Sequence, residues 1–285
     1  MDPDASVASP LLRRATAPDV DGRLNGVTPA SAGWEYVQLA IHQLGDGMAV
    51  SAPADARERL VVVLEGNAWV AADDHALGVF GSRTTVFDGP PPPVVLLEPG
   101  RSVGVVGAGP DGALVAIAAA PGGEISRTVA FGPGQILAEQ RGSGRTARRI
   151  HHLLPPTEVA GRLIAFEAFT PGGNWSSWPP HKHDTEDPPT EARLEELYYY
   201  RFAQPQGFAV QRVYTSDGSL DETVTARDHD IVLVPHGYHP VAAAVGYDCY
   251  YLNVMAGPSR QWRFTLDPDH AWSNDWNPVA PEIRR

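Results

Sequence analysis

The sequence predicts an all-β protein built from two β units in tandem, and three observations point to this fold class. The chain has 285 residues, which is enough for two domains of ordinary size. Its 28 glycines and 27 prolines interrupt it too often for long helices, while 43% of the residues are hydrophobic and can fill a core. Short apolar or alternating runs recur in both halves, separated by turn-forming residues.

The predicted strands are short, as is typical of a sandwich or barrel. In the first half they are residues 35–41, 60–64, 68–71, 84–87, 94–97, 103–106 and 114–119. In the second half they are residues 163–169, 196–202, 208–214, 222–226, 231–234 and 249–255. Glycine, proline and asparagine lie between the runs and predict turns, for example at Gly66 and Asn67.

The chain divides into four predicted segments. Residues 1–30 are polar and rich in turn formers, and we expect an N-terminal arm. Residues 31–140 form the first unit, and residues 141–160, the most basic stretch, connect it to the second. Residues 161–285 form the second unit and a C-terminal tail.

Composition excludes several classes of partner. The 22 basic residues against 34 acidic ones give a net charge of −12, which argues against binding to nucleic acid. A single cysteine, Cys249, excludes an internal disulfide and fits a reducing compartment. No signal-peptide pattern is visible at the N-terminus, and no apolar run is long enough to span a bilayer. We therefore expect a cytoplasmic protein with no membrane partner.

His181 and His183 form the sharpest local signal in the sequence. Eight of the ten histidines lie after residue 150, and these two are separated by one residue. On a β-strand they face the same side, about 6–7 Å apart at their Cα atoms, so both imidazoles can reach one divalent ion. Lys182 points to the other side, which favours a contact with solvent or a neighbouring strand over a role in catalysis.

Two later segments supply further candidate ligands. Glu196, Tyr198 and Tyr200 share one face of a predicted strand. Another strand leads into residues 235–239, Pro-His-Gly-Tyr-His, where a turn presents a third histidine. Three histidines and one carboxylate suit Zn, Mn, Fe or Ni, and they leave coordination positions open for water or substrate.

These residues resemble the two motifs of the cupin superfamily. The first motif is a glycine, an H-x-H pair and a glutamate on the next strand, and the second is an acidic residue, a P-x-G turn and a histidine. The matching residues here are Gly173, His181, His183, Glu196, Asp230, Pro235, Gly237 and His239. Two spacings depart from the motifs. Twelve residues separate His183 from Glu196, where three or four are usual, and one residue separates Gly237 from His239, where two are common.

These departures narrow the resemblance to the 5-deoxy-glucuronate isomerases of bacterial inositol catabolism, a family related to the 5-keto-4-deoxyuronate isomerases. The similarity is carried by the stretches EELYYY, GFAVQRVYT, VLVPHGYHPV and YLNVMAGP. It is dense over residues 174–272 and looser in the first half, where VVVLEGNAWV fits a cupin without metal ligands. The resemblance implies a bicupin, that is, two tandem double-stranded β-helix (jelly-roll) barrels with one functional site.

The resemblance also implies an activity and a ligand set. His181, His183, Glu196 and His239 are implied to bind one divalent metal ion per chain, with zinc first and Mn, Fe or Ni as alternatives. The implied reaction converts 5-deoxy-D-glucuronate, a small anionic sugar acid, to 2-deoxy-5-keto-D-gluconate. Glu195 is the alternative to Glu196 as a ligand, and His236 is the alternative to His239. Self-association into a homo-oligomer is a further possibility that the resemblance raises.

An aldose–ketose isomerase moves a hydrogen between adjacent carbons, so it needs a base or a hydride-shift geometry. The candidates for the base are Glu196, Tyr200 and a hydroxide on the metal. An ene-diolate route and a direct hydride shift both remain open. Substrate binding is assigned to Tyr198 and to Arg212, whose guanidinium suits a carboxylate, while Gln211 faces the opposite side of the strand.

Three further alternatives stay open at this point. Arg141, Arg145, Arg148 and Arg149 either pair with acidic residues between domains or subunits, which we favour, or reach the anionic substrate. The same ligand set serves an Fe(II) dioxygenase. A sugar-binding cupin without enzymatic activity is the third alternative.

Overall fold

The computed structural model describes residues 9–123, 126–155 and 159–274, and its secondary structure is dominated by antiparallel β-strands. The strands are β1 (Leu12–Arg13), β2 (Arg23–Val27), β3 (Gln38–Leu44), β4 (Ala49–Ala52), β5 (Arg57–Ala72), β6 (His75–Arg83), β7 (Val94–Leu97), β8 (Val103–Pro121), β9 (Val129–Phe131), β10 (Leu137–Arg141), β11 (Arg148–His152), β12 (Ile164–Thr170), β13 (Trp175–Ser176), β14 (His181–Lys182), β15 (Glu195–Phe202), β16 (Phe208–Tyr214), β17 (Asp221–Arg227), β18 (Ile231–Val234), β19 (Val241–Ala243), β20 (Cys249–Ala256) and β21 (Thr265–Leu266).

In the described part of the chain, helical structure is confined to short segments. They are α1 (Pro29–Ala32) and three 3₁₀ turns, Pro133–Gln135, Gly144–Thr146 and Ala271–Asn274. Among the described residues, no helix is long and apolar enough to cross a membrane. Residues 1–8 of the predicted arm, 156–158 of the predicted connection and 275–285 of the predicted tail lie outside the described residues.

Strands β2 to β9 form the first unit. The order in their sheet is β2-β3-β8-β5-β7-β9, with β4 paired to β8 and β6 paired to β5. The turn predicted at Gly66 and Asn67 is wrong, because β5 continues through it with a register shift against β8. Gly66 has a φ of +70°, and a Cβ there would lie 2.0 Å from the carbonyl oxygen of Gly112. Glycine therefore allows a bulge where the sequence pattern suggested a chain reversal.

Strands β1 and β10 to β21 form the second unit. A seven-stranded sheet has the order β1-β18-β15-β20-β12-β11-β10, a four-stranded sheet has the order β13-β19-β16-β17, and β14 pairs with β21. The six strands predicted for this half coincide with β12, β15, β16, β17, β18 and β20 to within one residue at each end. Apolar residues from both larger sheets form one interior cluster, which includes Tyr198, Tyr200 and Tyr251.

The predicted arm and the predicted connection both contribute strands to the second unit. β1 pairs with β18 at one edge of the seven-stranded sheet, where Arg14 Nη1 lies 2.5 Å from Asp230 Oδ2. β10 and β11 form the other edge. The segment boundaries at residues 30, 140 and 160 stay predictions, but these strands belong to the sheet that carries Glu196.

A shared apolar core lies between the two units. It determines which face of β15 points to this core and which face points to the interior of the second unit. Leu197 and Tyr199 enter this core together with residues of β5 and β7. Tyr198 and Tyr200 face the interior of the second unit instead. Because a slip of one residue would exchange the two faces of the strand, this packing also determines the side on which Glu196 lies.

Two glutamates connect the units in a reciprocal way. Glu58 of the first unit accepts hydrogen bonds from the backbone N–H groups of residues 161–163 at 2.6 to 2.7 Å. Glu195 of the second unit accepts them from the N–H groups of residues 35–37 at 2.7 to 2.9 Å. Each carboxylate therefore satisfies three amide donors of the opposite unit, and Glu195 belongs to the junction.

Candidate metal centre

Three histidines converge inside the second unit. His181 lies on β14, His183 follows that strand directly, and His239 lies between β18 and β19. Their nitrogen ligand atoms all lie within 4.8 Å of one another. His183 and His239 are buried, while His181 is partly accessible. Three separate segments of the chain thus place imidazoles within reach of one ion.

Glu196 adds a carboxylate to the three imidazoles. Its Oε2 lies 3.0 Å from Nε2 of His183 and 3.0 Å from Nε2 of His239. Its other oxygen accepts a hydrogen bond from Asn253 Nδ2. Burial opposes ionisation of Glu196, but the neighbouring imidazoles of His239 and His183 outweigh it and hold the pKa well below its usual range. The side chain is therefore an ionised oxygen donor.

The Nδ1 atom of each histidine faces a backbone carbonyl. The pairs are His181 with Pro179 O (3.2 Å), His183 with Leu194 O (3.3 Å) and His239 with Gly237 O (2.9 Å). A carbonyl oxygen can only accept, so Nδ1 carries a proton in each ring, and the lone pair of the neutral imidazole is on Nε2. Ligating histidines are oriented in the same way in known metal sites. Buried His239 Nε2 lies 3.0 Å from Glu196 Oε2 but makes no hydrogen bond with any described residue, which fits a cation at this position.

Protons compete with a cation for the same atoms. Burial alone would lower the pKa of His183, but the Glu196 carboxylate outweighs burial and raises it. At His181, burial and the other two imidazoles together hold the pKa well below its usual range. Acid would therefore weaken the binding of a cation by these nitrogen atoms.

The long loop between His183 and Glu196 returns to its starting point. The backbone N–H of Leu194 donates to the carbonyl of His183 at 2.8 Å, so the two ends of the loop are paired. Within the loop, the buried Glu191 accepts hydrogen bonds from the backbone N–H groups of Asp184 and Thr185, both at 2.9 Å. The insertion therefore lengthens the motif without moving Glu196 away from the histidines.

Asp184 ties the two motif segments together. Its Oδ2 accepts a hydrogen bond from the backbone N–H of Gly237 at 2.8 Å, and its Oδ1 lies 2.6 Å from Lys182 Nζ. Lys182 also pairs with Glu191, so it points away from the histidines as alternation predicts. Gly237 has a φ of +88°, and a Cβ there would lie 2.4 Å from the carbonyl oxygen of Tyr214. Only glycine fits this turn without strain.

Two tyrosines of β15 form the wall beside the cluster. The ring centroid of Tyr198 lies 6.1 Å from that of His239, and its hydroxyl lies 3.0 Å from Ser177 Oγ. Tyr200 packs behind Tyr198, and its hydroxyl donates to Gln211 Oε1 at 2.8 Å. Burial raises the pKa of both phenols well above the usual range. Both hydroxyl groups therefore stay protonated at neutral pH and can donate hydrogen bonds.

Arg212 lies on the outer face of β16, so its predicted orientation is wrong. Its guanidinium forms an ion pair with Asp221 at 2.7 Å and packs over the ring of Tyr214. Gln211, which was expected to face away, is fully buried and bonded to Tyr200. Ion pairing with a neighbouring strand, rather than binding of substrate, accounts for the position of Arg212.

The two alternative ligands lie apart from the cluster. His236 is exposed, while Glu195 is bonded to the backbone of residues 35–37. Sequence reasoning also missed Asn253, whose amide holds Glu196. The available signal was its position in YLNVMAGP, where it is the one polar side chain among apolar and aromatic residues of a buried strand.

A cleft of about 390 Å³ opens beside His181. Its lining includes Trp178, Trp262, Phe264 and Arg148. Its volume falls within the range of small-molecule binding sites, and the mixture of aromatic and cationic side chains suits a small anionic ligand.

The adjacent glutamates provide a matched pair of variants. We expect Glu196→Gln to lower metal content and metal affinity by at least about tenfold, because an amide replaces the charged oxygen donor. Glu195→Gln should keep the metal and lower the midpoint of thermal unfolding, because it weakens the hydrogen bonds that join the units. Elemental analysis and calorimetry of both variants check this. Loss of metal in Glu195→Gln and its retention in Glu196→Gln would reverse the assignment.

Comparison with known proteins places the chain among isomerases. The KduI/IolB family pattern matches residues 11–273. The 5-deoxy-glucuronate isomerase of Geobacillus kaustophilus is 43% identical over 93% of this chain and 95% of its own length, and that of Listeria monocytogenes (serovar 1/2a) is 42% identical over 83% and 87%. An IolB-like protein from Salmonella typhimurium superposes with a TM-score of 0.88, at 44% identity, over 93% of this chain and 99% of its own.

A more distant structure bears on the fold alone. Oxalate decarboxylase from Lactobacillus farciminis, a bicupin, superposes with a TM-score of 0.60 at 15% identity, over 93% of this chain and 92% of its own. The likeness spans both units, so the predicted fold class, an all-β bicupin, is confirmed.

Proposed function

Since the chain belongs to the KduI/IolB family, we propose that it is a 5-deoxy-glucuronate isomerase, an aldose–ketose isomerase of inositol catabolism. The reaction converts 5-deoxy-D-glucuronate to 2-deoxy-5-keto-D-gluconate. The family relationship predicted from the sequence is confirmed by relatives of that name that match the chain along most of its length. The observation that carries the proposal is the cluster of three oriented histidines and one ionised glutamate beside a cleft.

We propose that His181, His183, Glu196 and His239 hold one divalent metal ion. Three imidazole nitrogens and one carboxylate oxygen suit zinc first, with Mn, Fe or Ni as alternatives. The geometry supports this because the three Nδ1 atoms are fixed by carbonyls and buried His239 Nε2 makes no hydrogen bond with the residues that the structure describes. When bound, such an ion acts as a Lewis acid toward the negative charge that develops on the substrate oxygens.

The residues of the chain supply orientation and proton control. The Tyr198 hydroxyl stays protonated and its ring lies beside His239, which supports the proposal that it donates a hydrogen bond to a substrate oxygen. Tyr200 is engaged with Gln211 and lies behind Tyr198, which favours a supporting role over direct contact. Glu196 is a weak base because the imidazoles stabilise its ionised form. The catalytic roles assigned to Glu196 and Tyr200 stay predictions, as does association into a homo-oligomer.

An anaerobic assay in deuterated water tests the function. We expect the wild-type protein, loaded with zinc, to convert 5-deoxy-D-glucuronate to its ketose, followed by NMR. Solvent deuterium at C6 of the ketose, which is the former aldehyde carbon, indicates proton transfer through an ene-diolate, and its absence indicates a hydride shift. Turnover without oxygen also excludes a dioxygenase as the source of activity. No ketose at any metal loading would contradict the proposal.

A further inference from the structure

Arg148, on β11, is a buried arginine that forms no ion pair with a described residue. The residue is 6% exposed. Two other arginines of the described chain are as deeply buried, and each has a carboxylate: Arg59 pairs with Asp55, and Arg83 pairs with Glu167. Among the described residues, the only hydrogen bond of the Arg148 guanidinium runs from Nη1 to the carbonyl of Thr146 at 2.9 Å. A buried cation in this state is costly unless it serves a ligand.

Arg148 lines the cleft beside His181. It also borders a second cavity, which Arg149 lines as well. On the cleft side its charge interacts with the phenols of Tyr251 and Tyr198 and with the more distant Arg141 and Glu139. Its neighbour Arg149 points to the opposite side of β11, where its guanidinium lies 4.2 Å from the ring centroid of Phe169. Strand alternation therefore gives one arginine to the cleft and the other to the outer surface.

The described lining of the cleft provides no carboxylate to neutralise this charge. No acidic side chain occurs in its lining within the part of the chain that the structure describes. The other guanidinium in the cleft, that of Arg141, is occupied, because it forms an ion pair with Glu139 and lies 4.8 Å from the ring of Trp262. Arg148 is therefore the cleft cation whose described contacts leave it without an acidic partner.

We propose that Arg148 binds the carboxylate of the sugar-acid substrate, the role predicted for Arg212 because of its guanidinium. This inference rests on the proposed function. The guanidinium fork matches a carboxylate in a bidentate pair, and low exposure strengthens such a pair. The aldehyde and the carboxylate lie at opposite ends of the substrate. A cleft that His181 and Arg148 line together suits both groups, and it places the aldehyde end at the histidines.

Charge supports the same assignment. With a net charge of −12, the chain repels an anion overall, so recognition of a sugar acid depends on local positive charge. Arg148 provides that charge inside the cleft. Its role is specificity for the acid over a neutral sugar, and it takes no part in the hydrogen transfer itself.

The test compares an acidic substrate with a neutral one. In 5-deoxy-D-glucose a hydroxymethyl group replaces the carboxylate of 5-deoxy-D-glucuronate. For Arg148→Met we expect kcat/KM to fall about 100-fold with the acid, mainly through KM, and to stay within about twofold with the neutral sugar. Arg149→Met, the matched control on the outer face, should change neither value. Unchanged activity with the acid, or an equal loss with both sugars, would overturn the proposal.

Stability distinguishes binding from a structural role. Removal of an unpaired buried charge should leave the thermal midpoint of Arg148→Met unchanged or raise it. If that variant does not fold, Arg148→Gln, which keeps a donor for Thr146 O, replaces it in the same comparison, with the same two outcomes. Arg148→Lys keeps the charge without the fork, and we expect it to recover only part of the loss.

A binding measurement separates failure of this proposal from failure of the proposed function. If the wild-type protein does not isomerise the acid, the proposed function fails. Calorimetric titration of zinc-loaded protein with D-glucuronate and D-glucose then tests Arg148 alone. We expect D-glucuronate to bind the wild type about 100-fold more tightly than Arg148→Met, and D-glucose to bind both alike. Equal affinity of D-glucuronate for both proteins, or no binding to either, would overturn the assignment.

Discussion

His239→Ala is expected to lose its metal and at least about 1000-fold of its isomerase activity, the loss typical when an ion that carries the charge stabilisation is removed. His239 is fully buried, its Nδ1 is fixed by the carbonyl of Gly237, and its Nε2 lies 3.0 Å from Glu196 Oε2. Alanine at this position removes one nitrogen donor and opens the coordination sphere. Elemental analysis of the purified variant and its kcat measure the two losses.

His236→Ala is the matched control for that experiment. His236 lies three positions earlier in the same turn and is exposed. We expect this variant to keep its metal and its activity, since the exposed His236 is not part of the described histidine cluster. A His239→Ala protein with one metal per chain and unimpaired kcat would exclude His239 as a ligand.

Glu167→Ala is expected to lower the free energy of unfolding by about 3–5 kcal/mol, because it leaves the buried charge of Arg83 without its partner. Glu167 on β12 is fully buried and forms an ion pair with Arg83 of the first unit. It also accepts a hydrogen bond from the hydroxyl of Tyr250 at 2.8 Å and lies 3.1 Å from Nδ1 of His151. Loss of this carboxylate therefore weakens the junction between the two units.

The measurement is denaturant unfolding of the wild type and the variant. Asp221→Ala, which breaks the exposed pair with Arg212, is the control and should change stability little. A Glu167→Ala protein as stable as the wild type would show that the buried pair does not stabilise the native state. The double variant Arg83→Met/Glu167→Leu should recover part of the loss, because it removes both charges together.

The same ion pair predicts a dependence of stability on pH. Burial alone would raise the pKa of Glu167, but the charge of Arg83 and the hydrogen bond from His151 outweigh it and lower the pKa below its usual value of 4.5. A lowered pKa in the folded state means that this contribution is fully present above about pH 4.5 and is lost as the pH falls through the folded value. The difference in free energy of unfolding between the wild type and Glu167→Ala should therefore become smaller in acid.

Local patterns were sufficient to predict the second unit and its candidate ligands. The strands of that half are bounded by glycine and proline turns and carry one consistent period, so their ends were predicted to within one residue. His181, His183, Glu196 and His239 lie on or next to those strands, and the structure brings them together. The resemblance supplied the choice among neighbouring residues that strand alternation alone left open.

The first unit was harder to predict because bulges do not look different from turns in a sequence. Gly66 interrupts the pattern in the middle of β5, yet the strand continues because residues of β8 pair on both sides of the shift. Only the tertiary pairing with β8 distinguishes a bulge from a chain reversal at such a glycine.

The orientation of Arg212 shows where a residue pattern fails to predict the buried face of a strand. On β16 the face of Gln211 carries Ala209 and Val213, and the face of Arg212 carries Phe208 and Val210. Because both faces contain apolar residues, alternation did not indicate which one lies inside.

The position of Arg148 was equally hidden. It lies in a basic stretch that was predicted to connect the units, but that stretch contributes β11, which pairs with β10 at the edge of the seven-stranded sheet. Pairing with β12 over a long-range contact fixes which arginine enters the cleft. That pairing is a tertiary property, and no local hydrophobic period in the sequence predicts it.

Titration of metal into chelator-treated protein tests the central claim most directly. Isomerase activity toward 5-deoxy-D-glucuronate is measured after each addition of zinc, with manganese, iron and nickel in parallel series. We expect negligible activity without metal and a linear rise that ends at one equivalent per chain, since one cluster is present in the described residues. Full activity in protein shown by elemental analysis to contain no metal would contradict the account.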